Sequence, residues 1–357
     1  MAYTGSATVN ISPGTSRSWS GLPDTIRAVL SQEVRLKTQP LLKFGAFAQK
    51  KEELGKQPGN SISMLAFGNL PLGGKLSEGI HITPQPLSTQ MESVTVYEYG
   101  NAVALTEFLA RSAWADLISV GSQLLAMDAA KVMDLAMRRA LETPKVIVYG
   151  GSYASRASLV GNNGTGILTM ENIRDAVSQL ATAKVPKFVG MGRDCYVCFA
   201  HPQVIRTLKK DSAWKSANEY AGSTALFRGE IGRFDDVVFI ETTMCPIIKA
   251  GSTGTGASSH IYVDGVDVGG SASVATQETD TTGNASYDVY KSYMIGGNSL
   301  ALATALPVEI REDVVKDFGR ERALAWYSIF GTKALDYLSL GAQYQETRYV
   351  RLESTAN

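Results

Sequence analysis

A long helical period between residues 112 and 143 constrains the fold of this chain more than any other feature of its sequence. Mostly apolar positions recur there every three or four residues. They are Trp114, Leu117, Gly121, Leu124, Leu125, Asp128, Val132 and Leu135. Ser112 is suited to cap the first turn, and Thr143, with the proline after it, ends the pattern behind Arg138 and Arg139. At about 1.5 Å per residue, about 30 residues predict a helix of about 45 Å, which is long enough to cross a whole domain.

Residues 61–107, which precede this helix, carry the pattern of two long strands. The first strand is SISMLAF, and in the second Val94 and Val96 alternate with polar and aromatic residues. Between them stand a glycine pair at 73 and 74 and prolines at 71, 84 and 86, which do not fit inside a buried sheet. A two-stranded ribbon is at best marginally stable alone. We therefore expect a hairpin that projects from the body and is buried by a partner.

The first 59 residues show no sign of a core of their own. Residues 1–22 are rich in Ser, Thr and Gly and have no period, which predicts an arm that becomes ordered only against a partner. Pro23 then opens a short amphipathic segment whose apolar residues have helical spacing, namely Ile26, Val29, Leu30 and Val34. A basic stretch follows, with Lys37, Lys43, Lys50 and Lys51. It is either a solvated helix face, the commoner case, or a surface that binds a phosphate backbone.

An α/β region follows the Gly/Asn loop at 161–166. The sequence predicts a helix capped by Thr169, a strand over YVCFA, a second helix from Pro202 to Lys210 and a strand over DVVFIET. Residues 250–286 are dominated by Gly, Ser, Thr and Ala around the strand-like HIYVDGV, and they predict a long surface insertion. Further strands are expected in YMIGGNSLALATAL, VEIREDVVKD, ERALAWYSIFGTKALDYL and QETRYVRLE.

The stretch CYVCFAH raises the question of a metal site or a reactive thiol, because Cys195, Cys198 and His201 are spaced three apart. In a strand, the period of two places the cysteines on opposite faces, so both cannot bind one ion. A zinc knuckle also needs a second ligand pair, whereas Cys245 stands alone in the sequence. We therefore interpret the cysteines as packed core residues and His201, followed by a proline, as a strand-to-helix turn.

Composition and motifs also argue against an enzyme, a cofactor and a membrane protein. The chain has 34 basic and 34 acidic residues, so only local patches would bind a polyanion. It contains no G-x-S-x-G, no P-loop and no H-E-x-x-H, and GNNGTG, GSTGTG and VDGVDVGG lack the context of a dinucleotide or calcium site. Charges interrupt the longest helical stretch, which predicts no membrane span. Three cysteines and a start without an apolar signal region lead us to expect synthesis in a reducing cytoplasm.

The order of these parts resembles the Hong Kong 97 coat-protein fold of tailed-bacteriophage major capsid proteins. Three stretches are also similar to the branch of podoviruses that carry a large virion RNA polymerase. They are LSEGIHITPQPLSTQMESVTVYEYGNAVALTE (76–107), AHPQVIRTLKKDSAW (200–214) and FRGEIGRFDDVVFIET (227–242). The resemblance covers about residues 75–340, and the insertion at 250–286 has no counterpart in it.

The resemblance implies an α+β fold in five parts. They are an N-terminal arm with a short helix (1–59), an extended hairpin loop (60–107), a peripheral domain with the spine helix (108–164), an axial domain (165–300) and a return to the peripheral domain (301–357). It also implies contacts with other subunits at the hairpin tip, formed by Leu72, Gly73, Gly74, Lys75 and Leu76. Some relatives crosslink a hairpin lysine to a neighbour's Asn, and Lys75 stands at such a place without local support for the bond.

The function implied by the resemblance is that of a coat protein. It would self-assemble through pentamers and hexamers into the icosahedral capsid of a virion around double-stranded DNA. Expected partners are other copies of the chain, scaffold and portal proteins, nonspecifically bound DNA and a decoration protein. Two alternatives stay open at this point: a nanocompartment shell of the same fold, and a metal or thiol enzyme that uses Cys195, Cys198 and His201.

Overall fold

The computed structural model of the chain is α+β, as expected. It describes residues 43–52, 60–67, 75, 81, 84, 89–107, 117–161, 165–189, 194–211, 214, 230–250, 261–264, 266–267, 286–313, 320–335 and 347–356. The predicted arm at 1–22, the amphipathic segment at 23–34 and Ser112 lie outside these residues. The described residues form three sheets, of two, four and nine strands, together with three α-helices.

The long predicted helix is present as α1 (Leu117–Ala140). It ends three residues before the expected Thr143, where the N–H groups of Leu141 and Glu142 bond back three residues in the tighter 3₁₀ pattern. Along one face, Leu125, Ala126 and Ala129 pack in an apolar cluster with residues of the four-stranded sheet. Near its C-terminus, Met137 packs in a second cluster with residues of the nine-stranded sheet. The helix α1 therefore joins the two larger sheets.

The four-stranded sheet lies against α1 and has the order β1-β13-β14-β4. Its strands are β1 (Gln49–Lys51), β4 (Tyr97–Thr106), β13 (Leu300–Glu312) and β14 (Glu321–Ala334). The strand β1 runs parallel to β13, and the other pairs are antiparallel. Asp128 fastens α1 to this sheet, because its Oδ2 accepts hydrogen bonds from Trp326 Nε1 at 2.8 Å and Asn101 Nδ2 at 3.0 Å.

The nine-stranded sheet forms the second body of the protein. It contains β5 (Ile147–Tyr149), β6 (Tyr196–Ala200), β7 (Glu230–Phe234), β8 (Val237–Glu241), β9 (Ile247–Ile248), β10 (Ile261–Val263), β11 (Val266–Asp267), β12 (Val289–Ile295) and β15 (Tyr349–Ser354). The order is β11-β10-β9-β12-β6-β8-β7, and β15 pairs with both β12 and β5. Strands β6 and β12 are buried along their whole length, as the apolar run YVCFA predicts for β6.

Two helices cover one face of this sheet. The helix α2 (Met170–Thr182) begins with the predicted Thr169 cap, whose side chain and that of Asn172 each accept a backbone N–H of the other. The helix α3 (Pro202–Leu208) follows β6 directly, and His201 Nδ1 accepts the N–H of Gln203 at 3.3 Å. Both predicted helices are thus present, although α3 ends two residues before Lys210. None of the described helices is long and apolar enough to cross a membrane.

Three expected segment assignments differ from this architecture. Strand β15 was expected to return with 301–357 to the spine-helix domain, yet it pairs with β12 in the nine-stranded sheet. Strand β5, expected in the peripheral part at 108–164, pairs with β15 in the same sheet. Within the expected surface insertion at 250–286, Ile261 and Val263 are buried in a core cluster. These differences arise because strand pairing is set by residues distant in the sequence, which local patterns do not reveal.

Candidate assembly surface

The predicted hairpin is present, and its base is part of the subunit core. Strands β2 (Ser61–Phe67) and β3 (Thr89–Thr95) pair antiparallel from Ser61 opposite Thr95 to Phe67 opposite Thr89. At the base of this ribbon the apolar side chains of both strands pack with residues of β13 and with Leu335, which follows β14. This cluster consists of Ile62, Met64, Val94, Ala301, Ala303 and Leu335. The hairpin therefore leaves the body from a fixed root.

The paired ribbon ends at Thr95, earlier than the expected boundary at 107. The next strand, β4, pairs with β14 along its whole length, from Thr106 opposite Glu321 to Tyr97 opposite Phe330. This places β4 in the four-stranded sheet, although the sequence pattern continued without a break. The extended loop is thus confined to 61–95 among the described residues.

Residues beyond the hairpin root are exposed where the structure describes them. Lys75, His81 and Pro84 are exposed, as is Met91, with 66% of its surface accessible. Of the five predicted tip residues, Lys75 is described, whereas Leu72, Gly73, Gly74 and Leu76 lie outside the described part. The contact role of the tip stays a prediction.

Two polar contacts hold the root of the hairpin to β14. Lys333 Nζ lies 2.5 Å from Glu92 Oε2 and donates to the carbonyl oxygen of Ser93 at 3.1 Å. Nearby, Gly331 passes so close to the backbone of Thr95 that a Cβ on it would meet the carbonyl group. These contacts fix the direction in which the hairpin leaves the subunit.

A second anchored segment lies where the N-terminal part of the chain reaches the body. Asp134 of α1 is buried, and its Oδ1 accepts the N–H of Lys43 at 3.0 Å and of Phe44 at 2.9 Å. The ring of Phe44 stacks on Phe199 with a centroid distance of 4.1 Å. Burial raises the pKa of Asp134 to about 6, against the lowering effect of the N–H groups of Phe44 and Lys43.

This anchor corrects the expectation for the basic stretch. Lys43 precedes a short 3₁₀ turn, Phe44–Ala46, and Lys50 and Lys51 belong to β1. These lysines therefore do not form a helix face. Lys37 lies outside the described residues, so a phosphate-binding role for the stretch stays untested.

A buried ionic cluster joins the end of α1 to the nine-stranded sheet. Glu142 Oε1 accepts from Arg138 at 2.6 Å and from the Tyr293 hydroxyl at 2.8 Å, and Oε2 accepts from Lys291 at 2.8 Å. Arg351 donates to the Glu142 carbonyl oxygen at 2.6 Å. Burial alone would raise the pKa of Glu142, but the positive charges of Lys291 and Arg138 hold it well below its ordinary value.

The cysteines lie where the strand period predicts. Cys195 packs in the cluster on one side of β6, together with Cys245, and Cys198 packs in the cluster on the other side. Burial raises the pKa of the Cys198 thiol to about 12, and it also raises the pKa of Cys245 above its ordinary value. Within the described residues, no group of three or more His, Cys, Asp or Glu side chains is arranged to hold a metal ion.

Sequence reasoning missed the two buried carboxylates. Asp134 is one of the charges that interrupt the longest helical stretch, and the sequence predicted no role for it or for Glu142. An acidic residue on an otherwise apolar helical face was the available signal, but it does not identify the partner on another element.

Comparisons with known proteins agree with this architecture. The family model described as phage capsid protein matches residues 137–349, which is more than half of the chain. No curated protein matches the chain.

Solved phage capsids have the same fold over nearly the whole length. The capsid of Ralstonia phage GP4 gives a TM-score of 0.63 at 16% identity and covers 99% of each chain. The Helicobacter pylori bacteriophage KHP30 capsid gives 0.62 at 13% identity, covering 97% of this chain and 96% of that one. The cyanophage Pam1 capsid gives 0.58 at 17% identity, covering 98% and 99%. The chain therefore belongs to the phage capsid protein family and has the Hong Kong 97-like fold of phage major capsid proteins.

Proposed function

We propose that this major capsid protein builds the closed icosahedral shell of a virion by inserting its hairpin across neighbouring copies. The proposal rests on the difference in burial along the hairpin. Its root is buried in its own subunit, whereas Met91 and the described positions toward the tip are exposed. A two-stranded ribbon is at best marginally stable alone in water. Its burial on another copy supplies both the missing stabilisation and a repeated intersubunit contact.

Such a contact is heterologous, because the hairpin of one subunit meets a different surface of the next. Heterologous contacts close into rings when the rotation between subunits closes, here in pentamers and hexamers. The fixed root matters for this step, because Lys333 and Gly331 set the hairpin direction within each subunit. Electron microscopy of the purified protein, expressed alone and with a scaffold, should show rings or closed shells. A strictly monomeric protein under both conditions at high concentration would contradict the proposal.

The parts of the subunit take roles that refine the sequence-based expectation. We assign the four-stranded sheet and α1 to the peripheral domain and the nine-stranded sheet to the axial domain near the capsomer centre. We include strands β5 and β15 in the axial domain, because they pair within the nine-stranded sheet. The arm would end at Lys43, where the chain is anchored on Asp134, rather than at residue 59. Membership in the podovirus branch stays a prediction from the three sequence stretches.

Contacts with the packaged DNA are proposed to be nonspecific. The chain as a whole is neutral, but residues 1–59 contain eight Lys and Arg against four Asp and Glu. Phosphate contacts of this kind carry no sequence information and weaken with salt. Binding of duplexes to the free protein should fall steeply with added salt and be equal for unrelated sequences. Scaffold, portal and decoration proteins remain proposed partners by family resemblance.

The enzyme alternative loses its chemical basis at β6. A nucleophilic cysteine needs a lowered pKa and access, whereas Cys198 is fully buried with a raised pKa. His201 instead caps α3, and burial together with the charge of Lys249 lowers its pKa. A nanocompartment shell would share this fold, and DNA extracted from purified shells, as opposed to a protein cargo, separates the two.

A further inference from the structure

One face of α1 carries an apolar stripe that the described residues leave uncovered. Val120, Leu124 and Met127 have 43%, 57% and 51% of their surface exposed. They are four and three residues apart, so at 100° per residue they lie within about 60° of one another on the helix surface. We call these three residues the α1 stripe. Leu124 was expected among the core positions of the helix, and its exposure therefore requires a reason.

The same helix face is already covered further along by the chain's own N-terminal side. Lys131 and Asp134 continue the line of the α1 stripe, because they follow Met127 by four and seven residues. At Asp134 the backbone of Lys43 and Phe44 docks on this face through two hydrogen bonds. At Lys131 the side chain pairs with Asp264 at 2.6 Å. The α1 stripe is thus the continuation of an intramolecular contact that begins at Lys43.

The chain immediately before this anchor contains a segment with a matching apolar face. Ile26, Val29 and Leu30 share one side of a helix, with Val34 at its edge. A helix of about 12 residues is marginal in water and needs a surface on which to bury that side. From Ile26 to Val34 the apolar side would be about 12 Å long at 1.5 Å per residue, close to the roughly 10 Å from Val120 to Met127.

The connection between segment and anchor is long enough for both to lie on one subunit. Residues 35–42 separate Val34 from Lys43. Eight residues span at most about 26 to 29 Å when extended. Along α1, Val120 lies about 21 Å from Asp134, because 14 residues rise about 1.5 Å each. Every position of the α1 stripe is therefore within reach of the segment in cis.

We propose that residues 23–34 form an amphipathic helix that docks on the α1 stripe of the same chain. The docked helix would cover Leu124 and Met127 with Ile26, Val29 and Leu30, and it would carry the arm at 1–22 from a defined point on the subunit. This intramolecular contact does not depend on shell closure. A scaffold protein or a neighbouring copy would then meet a spine helix that is already covered.

The test is a disulfide scan in the full-length chain. Leu124→Cys is combined in turn with Ile26→Cys, Val29→Cys and Leu30→Cys, and a mild oxidant is added. Native Cys195, Cys198 and Cys245 are buried and do not compete. In each of two matched control pairs, one of the two cysteines is moved to the other side of its helix. Ala28→Cys lies about 160° around the segment from Ile26 and Leu30, and Ile118→Cys lies about 200° around α1 from Val120.

Docking in cis predicts an intramolecular disulfide for at least one apolar-face pair, formed at least about tenfold faster than in either control pair. Disulfide-linked dimers as the main product would overturn the proposal in favour of a neighbour's arm. Equal rates for Ala28→Cys or Ile118→Cys would overturn it as well.

A second measurement covers the case in which no pair has disulfide geometry. The alkylation rate of Leu124→Cys is compared in the full-length chain with and without Ile26, Val29 and Leu30 changed together to Ser. Docking predicts a rise of several-fold in the triple variant, while Asp24→Asn, Ala28→Ser and Ser31→Asn together, on the opposite side of the segment, leave the rate unchanged. An unchanged rate in the apolar triple variant would contradict the proposal and indicate an occupant other than this segment.

Discussion

Gly331 of β14 lies directly against Thr95 at the root of the hairpin. A Cβ on Gly331 would stand 2.8 Å from the carbonyl carbon of Thr95 and closer still to its oxygen. No side chain fits this space without moving one backbone away from the other. The close approach of these two backbones therefore requires a glycine at position 331.

Gly331→Ala should weaken the root of the hairpin. Forced separation of β14 from Thr95 disturbs the packing of Val94, so the free energy of unfolding should fall by about 1 to 3 kcal/mol. Chemical denaturation measures the change. Gly121→Ala is the matched control, because its Cβ would meet only Leu324 Cδ1 at 3.9 Å. This change in the helix α1 should be neutral or stabilising by up to about 1 kcal/mol. Equal effects of the two substitutions would contradict the account of the root.

Glu142→Gln should destabilise the junction between α1 and the nine-stranded sheet. Removal of the carboxylate leaves Arg138 and Lys291 buried without their counter-charge, which costs about 3 to 5 kcal/mol. Thermal or denaturant unfolding measures the loss. The exposed Glu171, which pairs with Arg174, provides the control, since Glu171→Gln should change stability by less than about 1 kcal/mol.

The pH dependence of the Glu142 contribution has a definite sign. Its folded pKa lies below the ordinary value of 4.5, so its contribution is present above that value and is lost as pH falls below it. The stability difference between wild type and Glu142→Gln should therefore shrink as the pH falls below about 4.5. A difference that is constant from pH 7 to pH 3 would show that the cluster is not ionised as described.

Asp134 should behave in the opposite way. Because burial raises its folded pKa to about 6 from 3.8, its favourable contribution is present below about pH 4 and is lost as pH rises through 6. Between pH 4 and pH 7, wild type should lose on the order of 2 to 3 kcal/mol relative to Asp134→Asn, since one pKa unit corresponds to about 1.4 kcal/mol. Parallel stability curves for the two proteins over this range would refute the assignment.

The cysteines should act as packing residues. Cys195→Ala and Cys198→Ala should each cost about 1 to 3 kcal/mol and leave the assembled product unchanged. In the native protein a thiol reagent should react slowly at pH 8 with all three cysteines, because they are buried. Unfolding should make all three thiols reactive. Loss of a bound metal from either variant, measured by elemental analysis, would revive the metal-site hypothesis.

Local sequence patterns predicted individual helices and strands better than they predicted which strands pair. The apolar run of β6, the Thr169 cap and the alternation of Val94 with Thr95 depend on neighbouring residues, and the structure confirms each of them. The pairing of β15 with β12 depends on chain segments more than 50 residues apart, so no local pattern indicates its sheet. The same limit explains the boundary error at β4, whose pattern continues that of β3.

The candidate surface was predictable to a similar extent. Prolines and paired glycines between two strand patterns indicated a projecting hairpin, and the period of two placed Cys195 and Cys198 on opposite faces. The exposure of Leu124 was not predictable, because an apolar residue at helical spacing ordinarily faces a core. The anchor of Lys43 on Asp134 joins residues 91 positions apart, and no local pattern indicates it.

Replacement of residues 69–84 by a short Gly-Ser turn tests the central claim that the hairpin is the clamp between subunits. The root residues Ile62, Met64 and Val94 remain in place, so the melting temperature should change little. A second variant replaces Leu72–Leu76 by five Gly and Ser residues and removes the tip side chains at constant length. Loss of several hundred Å² of intersubunit burial, at roughly 25 cal/mol per Å², removes several kcal/mol from each repeated contact.

Electron microscopy and sedimentation of the two folded variants give the decisive measurement. We expect folded subunits that form no closed shells in the first variant, and fewer or less stable shells in the second. Closed shells of normal size and stability from the first variant would contradict the role of the hairpin as clamp. Unfolding of that variant would instead show that residues 69–84 belong to the core of their own subunit.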